Sequence, residues 1–308
     1  MWDRSKVLLA TICFTALFCH VSIIPFSNSH VANELSSFHC EFLLKAAAGN
    51  GELLGWAPGV VNDLYRGCRQ QAMEKFVHSG LLKQELNNSV GFQKAWTLNS
   101  KCSALIPGGI DAHTSALSAY ILSEGEDFMM AFDKAVQTMS ANVSTYENDF
   151  HFKSLYFLLM DAITLLNPKT CQTVFVLSEK TPTPKKGSRV TFGSFTVATS
   201  NFQALNKLED FDGRVLLNIT SCFSASVGEH ICDSDKDKVL LSPAEDFIVE
   251  EVTKKEDDNE STYTEIVLKN LKMNSTHNCF SFSRSPAAVS TLWLPSALVI
   301  LSFLYSAA

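Results

Sequence analysis

Apolar side chains in the first half of the chain, from about residue 62 to residue 166, recur at helical spacing. Two stripes carry this pattern. The first consists of Phe128, Phe132, Ala135, Val136 and Met139. The second consists of Phe152, Leu155, Leu159, Ile163 and Leu166. Because residues three and four apart lie on one face of a helix, both stripes predict amphipathic helices that pack against a core.

The pattern changes after Pro168, where short runs of β-branched and aromatic residues begin. Such runs are typical of strands, and they cover residues 173–177, 190–199, 215–219, 247–252 and 262–271. A charged run at 254–260 predicts a solvated loop. Since the helices precede the strands instead of alternating with them, the order predicts an α+β fold, with a helical part at 60–167 and a β part at 168–280.

The N-terminus has the pattern of a secretory signal peptide. Arg4 and Lys6 precede an apolar run at residues 7–24, and small polar residues end at Ser29. This pattern predicts a signal peptide over 1–29, cleaved after Ser29. The alternative is a membrane-spanning anchor, which needs about 20 strongly apolar residues, whereas this run contains several polar ones.

The C-terminus, residues 281–308, has the pattern of a GPI-attachment signal. Small residues at Ser281, Ser283 and Ser285 precede an apolar tail at 292–305, and no charged residue follows Arg284. A stop-transfer helix would carry Lys or Arg on its cytoplasmic side, so a GPI signal fits better. The alternative is a short C-terminal transmembrane helix. Either interpretation predicts an extracellular protein, GPI-anchored or, failing that, secreted.

Composition argues against a nucleic-acid-binding protein and indicates a folded one. The chain has 308 residues, a formal net charge of −7, 46% hydrophobic residues and 19% charged residues. An acidic chain does not neutralise phosphates with a basic surface, so nucleic acid is not the expected partner. The apolar content is that of a packed globule. Between the predicted processing signals we expect an N-terminal extension at 30–59 and one domain at 60–280.

Cysteines and sequons agree with an extracellular location. Two of the nine cysteines belong to the predicted signal peptide, which leaves Cys40, Cys68, Cys102, Cys171, Cys222, Cys232 and Cys279. No spacing among them resembles a zinc site, so we expect disulfides, with one cysteine left over, and no metal. Five sequons predict surface exposure wherever they are glycosylated. Their acceptors are Asn87, Asn142, Asn218, Asn259 and Asn274.

Several segments resemble motifs of the vertebrate ecto-mono-ADP-ribosyltransferases. Residues 62–68, Asn-Asp-Leu-Tyr-Arg-Gly-Cys, resemble their Asp-Asp-x-Tyr-x-x-Cys segment. Residues 146–157 match their Tyr-x-x-x-Phe-x-Phe-Lys-x-Leu-x-Phe helix. Residues 192–195 (Phe-Gly-Ser-Phe), Ser221-Cys222 and 239–245 (Val-Leu-Leu-Ser-Pro-Ala-Glu) add matches in the same order. The resemblance covers roughly residues 60–280.

The resemblance implies a fold, a co-substrate and a partner class. Members of this arginine-specific family pack an N-terminal helical part on a two-sheet β core, with NAD or NADP bound in the cleft and arginine in proteins as acceptor. It also implies two disulfides, Cys68–Cys279 and Cys171–Cys222. Cys102 and Cys232 are a candidate third pair, and the pairing of Cys40 stays open.

The family places three catalytic elements on separate segments: an Arg on the first strand, a Ser on the next and a Glu-x-Glu turn near the end. Breaking the bond between nicotinamide and ribose builds positive charge on the sugar, and the second Glu places an anion beside it. The first Glu engages the acceptor arginine. The Arg holds the co-substrate near its phosphates, and the Ser positions the catalytic Glu.

The family's Arg and Ser positions carry other residues in this chain. The family's aromatic-Arg-Gly segment aligns with residues 175–177, which puts Val176 at the Arg position. Its Ser-x-Ser segment aligns with residues 197–199, so Val197 replaces the first hydroxyl and Thr199 keeps the second.

The Glu-x-Glu position has also changed. The spacing from Cys222 to the matching run at 239–245 places it on Lys236-Asp237-Lys238, so two carboxylates are replaced by two ammonium groups. A cation beside a developing cation raises the barrier, and we therefore expect a catalytically silent or strongly impaired surface binding protein. The alternative is an active ADP-ribosyltransferase or NAD glycohydrolase that uses a shifted acid such as Asp237, brought into the cleft with Asp235 by a local bulge.

No replacement active site stands out elsewhere. His113, His151 and His230 lack a Ser or Cys partner in a recognisable motif, so we expect them to be structural or exposed.

Overall fold

The structure, a computed structural model, describes residues 54–55, 59–99, 105–123, 127–140, 142–179, 184–231, 235–256 and 262–282. The predicted signal peptide, the tail from residue 283, Cys40, Cys102, Cys232 and Asn259 lie outside these ranges. Within them, no helix combines the length and the apolar character that crossing a membrane requires.

The first part of the described chain is helical, as the spacing of apolar residues predicts. Its helices are Arg69–Ala72 (α1), Leu81–Asn88 (α2), Val90–Asn99 (α3), Asp111–Ile121 (α4), Asp127–Thr138 (α5), Val143–Asn148 (α6) and Lys153–Leu166 (α7). A π-helical turn, Met73–His78, continues α1. The first predicted stripe becomes the buried face of α5, whereas the amphipathic helix expected from the second stripe is wrong for α7, which is buried on every side between residues 154 and 163.

Helix α7 lies at the centre of the helical part, and every residue from 154 to 163 is buried. The Tyr156 hydroxyl donates a hydrogen bond of 2.9 Å to the Val61 carbonyl, and its ring lies 5.3 Å from that of Phe195 in the β part. One aromatic core therefore spans the helices and the adjoining strands.

A buried carboxylate links three helices. Asp161 of α7 accepts two hydrogen bonds from Arg69 of α1, at 2.6 and 2.9 Å, and one from Nε2 of His113 of α4, at 2.8 Å. Burial alone would raise the pKa of Asp161, but the hydrogen bonds from His113 and Arg69 outweigh it and hold the pKa below its ordinary value. His113 is thus a structural histidine, as predicted.

The second part contains the strands and one further helix. The strands are Leu54–Gly55 (β1), Gln172–Ser178 (β2), Arg189–Phe192 (β3), Thr196–Thr199 (β4), Val215–Ser221 (β5), Ser224–Ser226 (β6), Lys238–Leu241 (β7), Glu245–Glu256 (β8) and Thr262–Met273 (β9). Helix α8, Phe202–Leu208, follows β4. Hydrogen bonding joins these strands in the order β1-β3-β8-β9-β5-β2-β4-β7-β6, and the α+β fold is confirmed.

The strands differ from the sequence prediction in several places: β1, β6 and β7 lie outside the predicted runs, and two predicted boundaries change. The single strand expected at 190–199 is wrong, because it divides into β3 and β4 at Gly193, where the backbone passes so close to Gln137 of α5 that an added Cβ would lie 2.7 Å from that side chain. The loop expected at 254–260 is wrong at its start, because residues 254–256 extend β8 and pair with β9. Their charged side chains are exposed while the backbone remains hydrogen-bonded.

The strands of the described chain form two sections that meet at one point. Strands β2 and β4 share a single residue pair, Phe175 with Thr199. By contrast, β2 pairs with β5 along its whole length, and β4 pairs with β7 from end to end. The two sheets implied by the resemblance therefore correspond to two sections of one hydrogen-bonded series, and the junction opens a cleft between them.

Both disulfides implied by the resemblance are present. Cys68 is bonded to Cys279, at a sequence separation of 211, and Cys171 is bonded to Cys222. Around the first bond, the Asp63 carboxylate accepts hydrogen bonds from the backbone N–H groups of Cys279 and Phe280, at 2.9 and 3.3 Å. The end of the described chain is thereby held against the start of the helical part.

The start of α7 is capped by a carboxylate from another helix. Glu85 of α2 is buried and accepts hydrogen bonds from the backbone N–H groups of Lys153 and Ser154, at 2.9 and 3.0 Å. These groups have no partner within their own helix. Burial raises the pKa of Glu85 from 4.5 to about 7, although these hydrogen bonds act in the opposite direction.

We therefore expect the free energy of unfolding to fall as the pH rises from about 5 to about 8. Between pH 4.5 and 7 the folded chain keeps a proton on Glu85 that the unfolded chain has released, so stability present at low pH is lost through the folded pKa of about 7. A shift of this size in the pKa of Glu85 corresponds to about 3 kcal/mol. Asp63, whose pKa is raised by burial to about 6, acts in the same direction. His277, whose pKa is lowered by burial, opposes it below pH 6.5.

Denaturant titrations at several pH values test this expectation. Glu85→Gln should reduce the dependence of the free energy of unfolding on pH. Glu74→Gln is the matched control, because Glu74 is exposed, and it should leave that dependence unaltered. The same pH dependence in the two variants would contradict the role given to Glu85.

Candidate functional site

A cavity of about 490 Å³ lies at the junction of the two sheet sections. Strands β2 and β4 supply its β-side lining, and the end of α4 and the middle of α5 supply residues from the helical part. The volume falls within the range of roughly 300 to 1,000 Å³ typical of ligand pockets. The cleft that the resemblance implies is therefore present as a cavity.

Four of the aligned family positions line this one cavity: Val176, Val197, Thr199 and Lys238. The register explains how residues so distant in sequence meet. Thr199 pairs with Phe175 on one side and with Lys238 on the other. Because neighbouring strands lie about 4.8 Å apart, this row brings the start of β7 to within about 10 Å of β2.

The other residues of the Glu-x-Glu position face elsewhere. Lys236 is exposed and is not part of the lining. The carboxylate of Asp237 accepts a hydrogen bond of 2.8 Å from Nδ2 of Asn201, whose Oδ1 caps α8 through the N–H of Ala204 at 3.0 Å. Asp237 is also absent from the lining, whereas Asp235 contributes to it.

A close backbone approach fixes the loop that carries these residues. An added Cβ at Gly228 would lie 2.5 Å from the carbonyl oxygen of Asp235 and from the Cα of Lys236. Glycine is therefore required at 228 for the loop to enter β7 along this path. The same path leads Asp235 to the cavity and Asp237 to Asn201.

Charged residues of both signs line the cavity. The carboxylates are those of Asp133, Glu209 and Asp235, and the cations are Arg214 and Lys238. Asp133 accepts a hydrogen bond of 2.6 Å from the Ser194 hydroxyl. This lining lacks the family arrangement of a carboxylate at the Glu position and a guanidinium on β2.

Arg214 and Thr196 are among the cavity residues that sequence reasoning missed. Arg214 immediately precedes β5, the strand that pairs with β2, and it lines the cavity from there. Thr196 begins β4; its hydroxyl is buried and has no hydrogen-bond partner. Strand order decides the placement of Arg214, for which no local motif gave a signal, whereas Thr196 stands directly before the aligned segment 197–199.

The residues present fit the family's co-substrate only in part. The size of the cavity and the Arg214 guanidinium suit a phosphorylated ligand. The aligned Arg position carries Val176, whose side chain cannot bind a phosphate, and the position aligned with the second Glu carries the cation Lys238. Among the described residues, no group of three or more His, Cys, Asp or Glu is arranged to hold a metal ion.

The predicted glycosylation sites differ in exposure. Asn87 and Asn142 are exposed. Asn218 is half-buried within β5, where its Nδ2 donates a hydrogen bond of 3.1 Å to Glu265, and Asn274 is half-buried as well. The exposed pair are therefore the better candidates for carrying sugar.

Comparison with known proteins gives consistent matches. The family model for NAD:arginine ADP-ribosyltransferase matches residues 54–276. T-cell ecto-ADP-ribosyltransferase 1 of Rattus norvegicus is 31% identical over 198 residues, which are 61% of this chain and 68% of that protein. T-cell ecto-ADP-ribosyltransferase 2 of the same species is 29% identical over 261 residues, which are 80% and 88% of the two chains.

Solved structures give the same result. A crystal structure of a mutant of the eukaryotic mono-ADP-ribosyltransferase ART2.2 in complex with NADH superposes with a TM-score of 0.57 at 26% identity, and the match covers 73% of this chain and 97% of that one. A second crystal structure of ART2.2 gives 0.58 at the same identity and coverage.

Proposed function

The chain belongs to the NAD:arginine ADP-ribosyltransferase family, and we propose that it is a catalytically silent member that acts outside the cell as a binding protein. The relatives that resemble it include ecto-enzymes, one of which is described as GPI-linked. What distinguishes this chain is the lining of its cleft.

Lys238 is the observation that carries the proposal. It lines the cavity at the aligned position of the catalytic Glu, so a cation occupies the place where a developing positive charge needs an anion. Two unit charges about 4 Å apart interact by about 4 kcal/mol at an effective dielectric near 20, so reversing the sign costs several kcal/mol in the barrier. Even if a neighbouring carboxylate neutralises the ammonium, the stabilising anion remains missing.

Two further positions support the same conclusion. Val176 lines the cavity with an apolar side chain at the aligned Arg position, and Val197 replaces the hydroxyl that would position the catalytic Glu. Neither valine side chain can make a hydrogen bond or an ion pair to a co-substrate. Three independent departures at one site indicate a loss of the reaction rather than a shift in specificity.

A second candidate function rests on Asp235. Asp235 lies in the lining, and its carboxylate accepts a hydrogen bond of 2.9 Å from the backbone N–H of Asp237. An NAD glycohydrolase or transferase with a shifted acid would require such a carboxylate at the cavity, whereas Asp237 is hydrogen-bonded to Asn201 outside the lining. The variants Asp235→Asn and Asp237→Asn test the two acids one at a time. Loss of NAD cleavage in Asp235→Asn, with cleavage kept in Asp237→Asn, would support this second candidate function.

Transfer of label from labelled NAD to an arginine-rich acceptor tests the proposal. The purified ectodomain should transfer none above a heated sample, while an active family member assayed beside it labels the acceptor. Labelling by the unaltered chain would overturn the silent assignment. Because the family acts on arginine in proteins, the binding partner we propose is an extracellular protein.

The anchor is part of the same proposal, and it predicts release by phosphatidylinositol-specific phospholipase C. Cells that display the chain should lose it from their surface after treatment, because the tail from Leu292 has the length and the lack of flanking charge of a GPI signal. A known GPI-anchored protein on the same cells is the control. Retention of the chain while the control is lost would support the transmembrane alternative.

A further inference from the structure

We infer that Arg214 forms an anion-binding subsite of the cleft that takes a phosphate or pyrophosphate group, with Glu209 as the carboxylate that competes for it. The inference rests on the proposed function, because it describes a cleft that binds without catalysing transfer. It identifies which residue replaces the guanidinium that β2 lacks.

The sheet register places Arg214 at the cleft. Strand β5 is antiparallel to β2, and the pair Ser178 with Val215 ends their ladder. Arg214 is the next residue beyond that pair, beside the end of β2, and its side chain lines the same cavity as Val176 and Leu177. Arg214 therefore reaches the cavity from the position just before β5, the strand adjacent to the one that carries the arginine in the family.

Two carboxylates hold the guanidinium in place. One terminal nitrogen of Arg214 lies 3.0 Å from Glu209, and the other lies 3.0 Å from Glu179. The Arg214 side chain is 23% exposed, while those of Glu209 and Glu179 are 46% and 68% exposed. Exposed ion pairs contribute little, because water screens them. A phosphate can accept two parallel hydrogen bonds from the same guanidinium and can displace such a partner.

An unsatisfied hydroxyl points to a ligand independently. Thr196 is 6% exposed and lines the cavity, and its Oγ1 has no hydrogen-bond partner. A buried hydroxyl without a partner costs free energy that a bound acceptor would restore. A phosphorylated ligand supplies such acceptor oxygens. The aromatic ring of Phe175 also lines the cavity and offers an apolar face to a base.

Calorimetric titration of the purified ectodomain tests the subsite, with ADP-ribose and inorganic pyrophosphate as the two probes. We expect Arg214→Ala to weaken binding by at least about ten-fold, and Arg214→Lys to weaken it less, because the charge remains but the bidentate geometry is lost. Glu209→Gln should strengthen binding by about three- to five-fold, since it removes a competing carboxylate from the cavity.

Glu179→Gln is the matched control, because Glu179 binds the same guanidinium but does not line the cavity. It should change the affinity by less than about two-fold. Thr196→Val should weaken binding of ADP-ribose by several-fold without altering the fold. The gain expected in Glu209→Gln keeps the test valid even if Arg214→Ala folds poorly.

The outcomes separate the subsite from the proposed function. If both probes bind and both depend on Arg214 to the same extent, the subsite recognises the phosphate groups alone. If ADP-ribose binds and pyrophosphate does not, the subsite recognises a nucleotide. No binding of either probe, or equal affinity in Arg214→Ala, overturns the inference. Nicotinamide release, measured on the same samples, reports separately on whether the cleft is silent.

Discussion

A quadruple variant that restores the family residues is expected to release nicotinamide from NAD at least about a hundred-fold faster than the unaltered chain. Its substitutions are Val176→Arg, Val197→Ser, Lys236→Glu and Lys238→Glu. The reason is geometric as well as electrostatic, because three of the four positions line one cavity. Restoring them returns an anion to the reacting centre, a hydroxyl to position it and a guanidinium for the phosphates.

The double variant with only Lys236→Glu and Lys238→Glu is the control. It should remain close to the unaltered chain, because Val176 still offers nothing to the phosphates and Val197 leaves the introduced carboxylate without a supporting hydroxyl. Catalytic groups that act as a unit are strongly non-additive, so the quadruple variant should exceed the sum of the separate changes. Equal turnover in double and quadruple variants would show that the Arg and Ser positions do not have these roles.

Loss of the long-range disulfide is expected to destabilise the domain by about 5 kcal/mol. Cys68 and Cys279 close a loop with a sequence separation of 211, and the chain-entropy model assigns about this value to such a loop. Replacing both cysteines by Ser leaves no unpaired thiol from this bond, so the effect reports on the cross-link itself. We expect secretion to fall sharply.

The second disulfide provides a matched comparison. Cys171 and Cys222 have a sequence separation of 51, for which the same model gives about 4 kcal/mol. Denaturant unfolding of the two double-Ser variants should therefore place the stability of the Cys68–Cys279 variant below that of the other. Peptide mapping of the unreduced protein checks the pairing, and a peptide that links Cys68 to any other cysteine would contradict it.

Much of the fold could be predicted from the sequence because the apolar pattern is local. The stripe at Phe128, Phe132 and Val136 predicts the buried face of α5 by spacing alone, and the structure confirms it. The residues at which strands begin and end were harder to predict from the sequence. The strand predicted at 190–199 divides at Gly193, where the backbone passes close to the Gln137 side chain, and that contact joins residues distant in sequence.

The candidate site, too, could be predicted from the sequence only in part. Alignment to the family motifs placed Val176, Val197, Thr199 and Lys238, and the structure brings all four to one cavity. The different placements of Asp235 and Asp237 could not be predicted from spacing, because they depend on the hydrogen bond to Asn201 and on the close packing at Gly228. Arg214 was missed because its relation to β2 arises only from strand order.

Nicotinamide release by the purified ectodomain at saturating NAD tests the central claim most directly, since both transfer and hydrolysis produce nicotinamide. We predict a rate no greater than that of a sample without enzyme, and no difference between the unaltered chain and Asp235→Asn. Sustained release that disappears in Asp235→Asn would contradict the silent assignment and would show that the carboxylate in the cavity has taken over the role of the missing Glu.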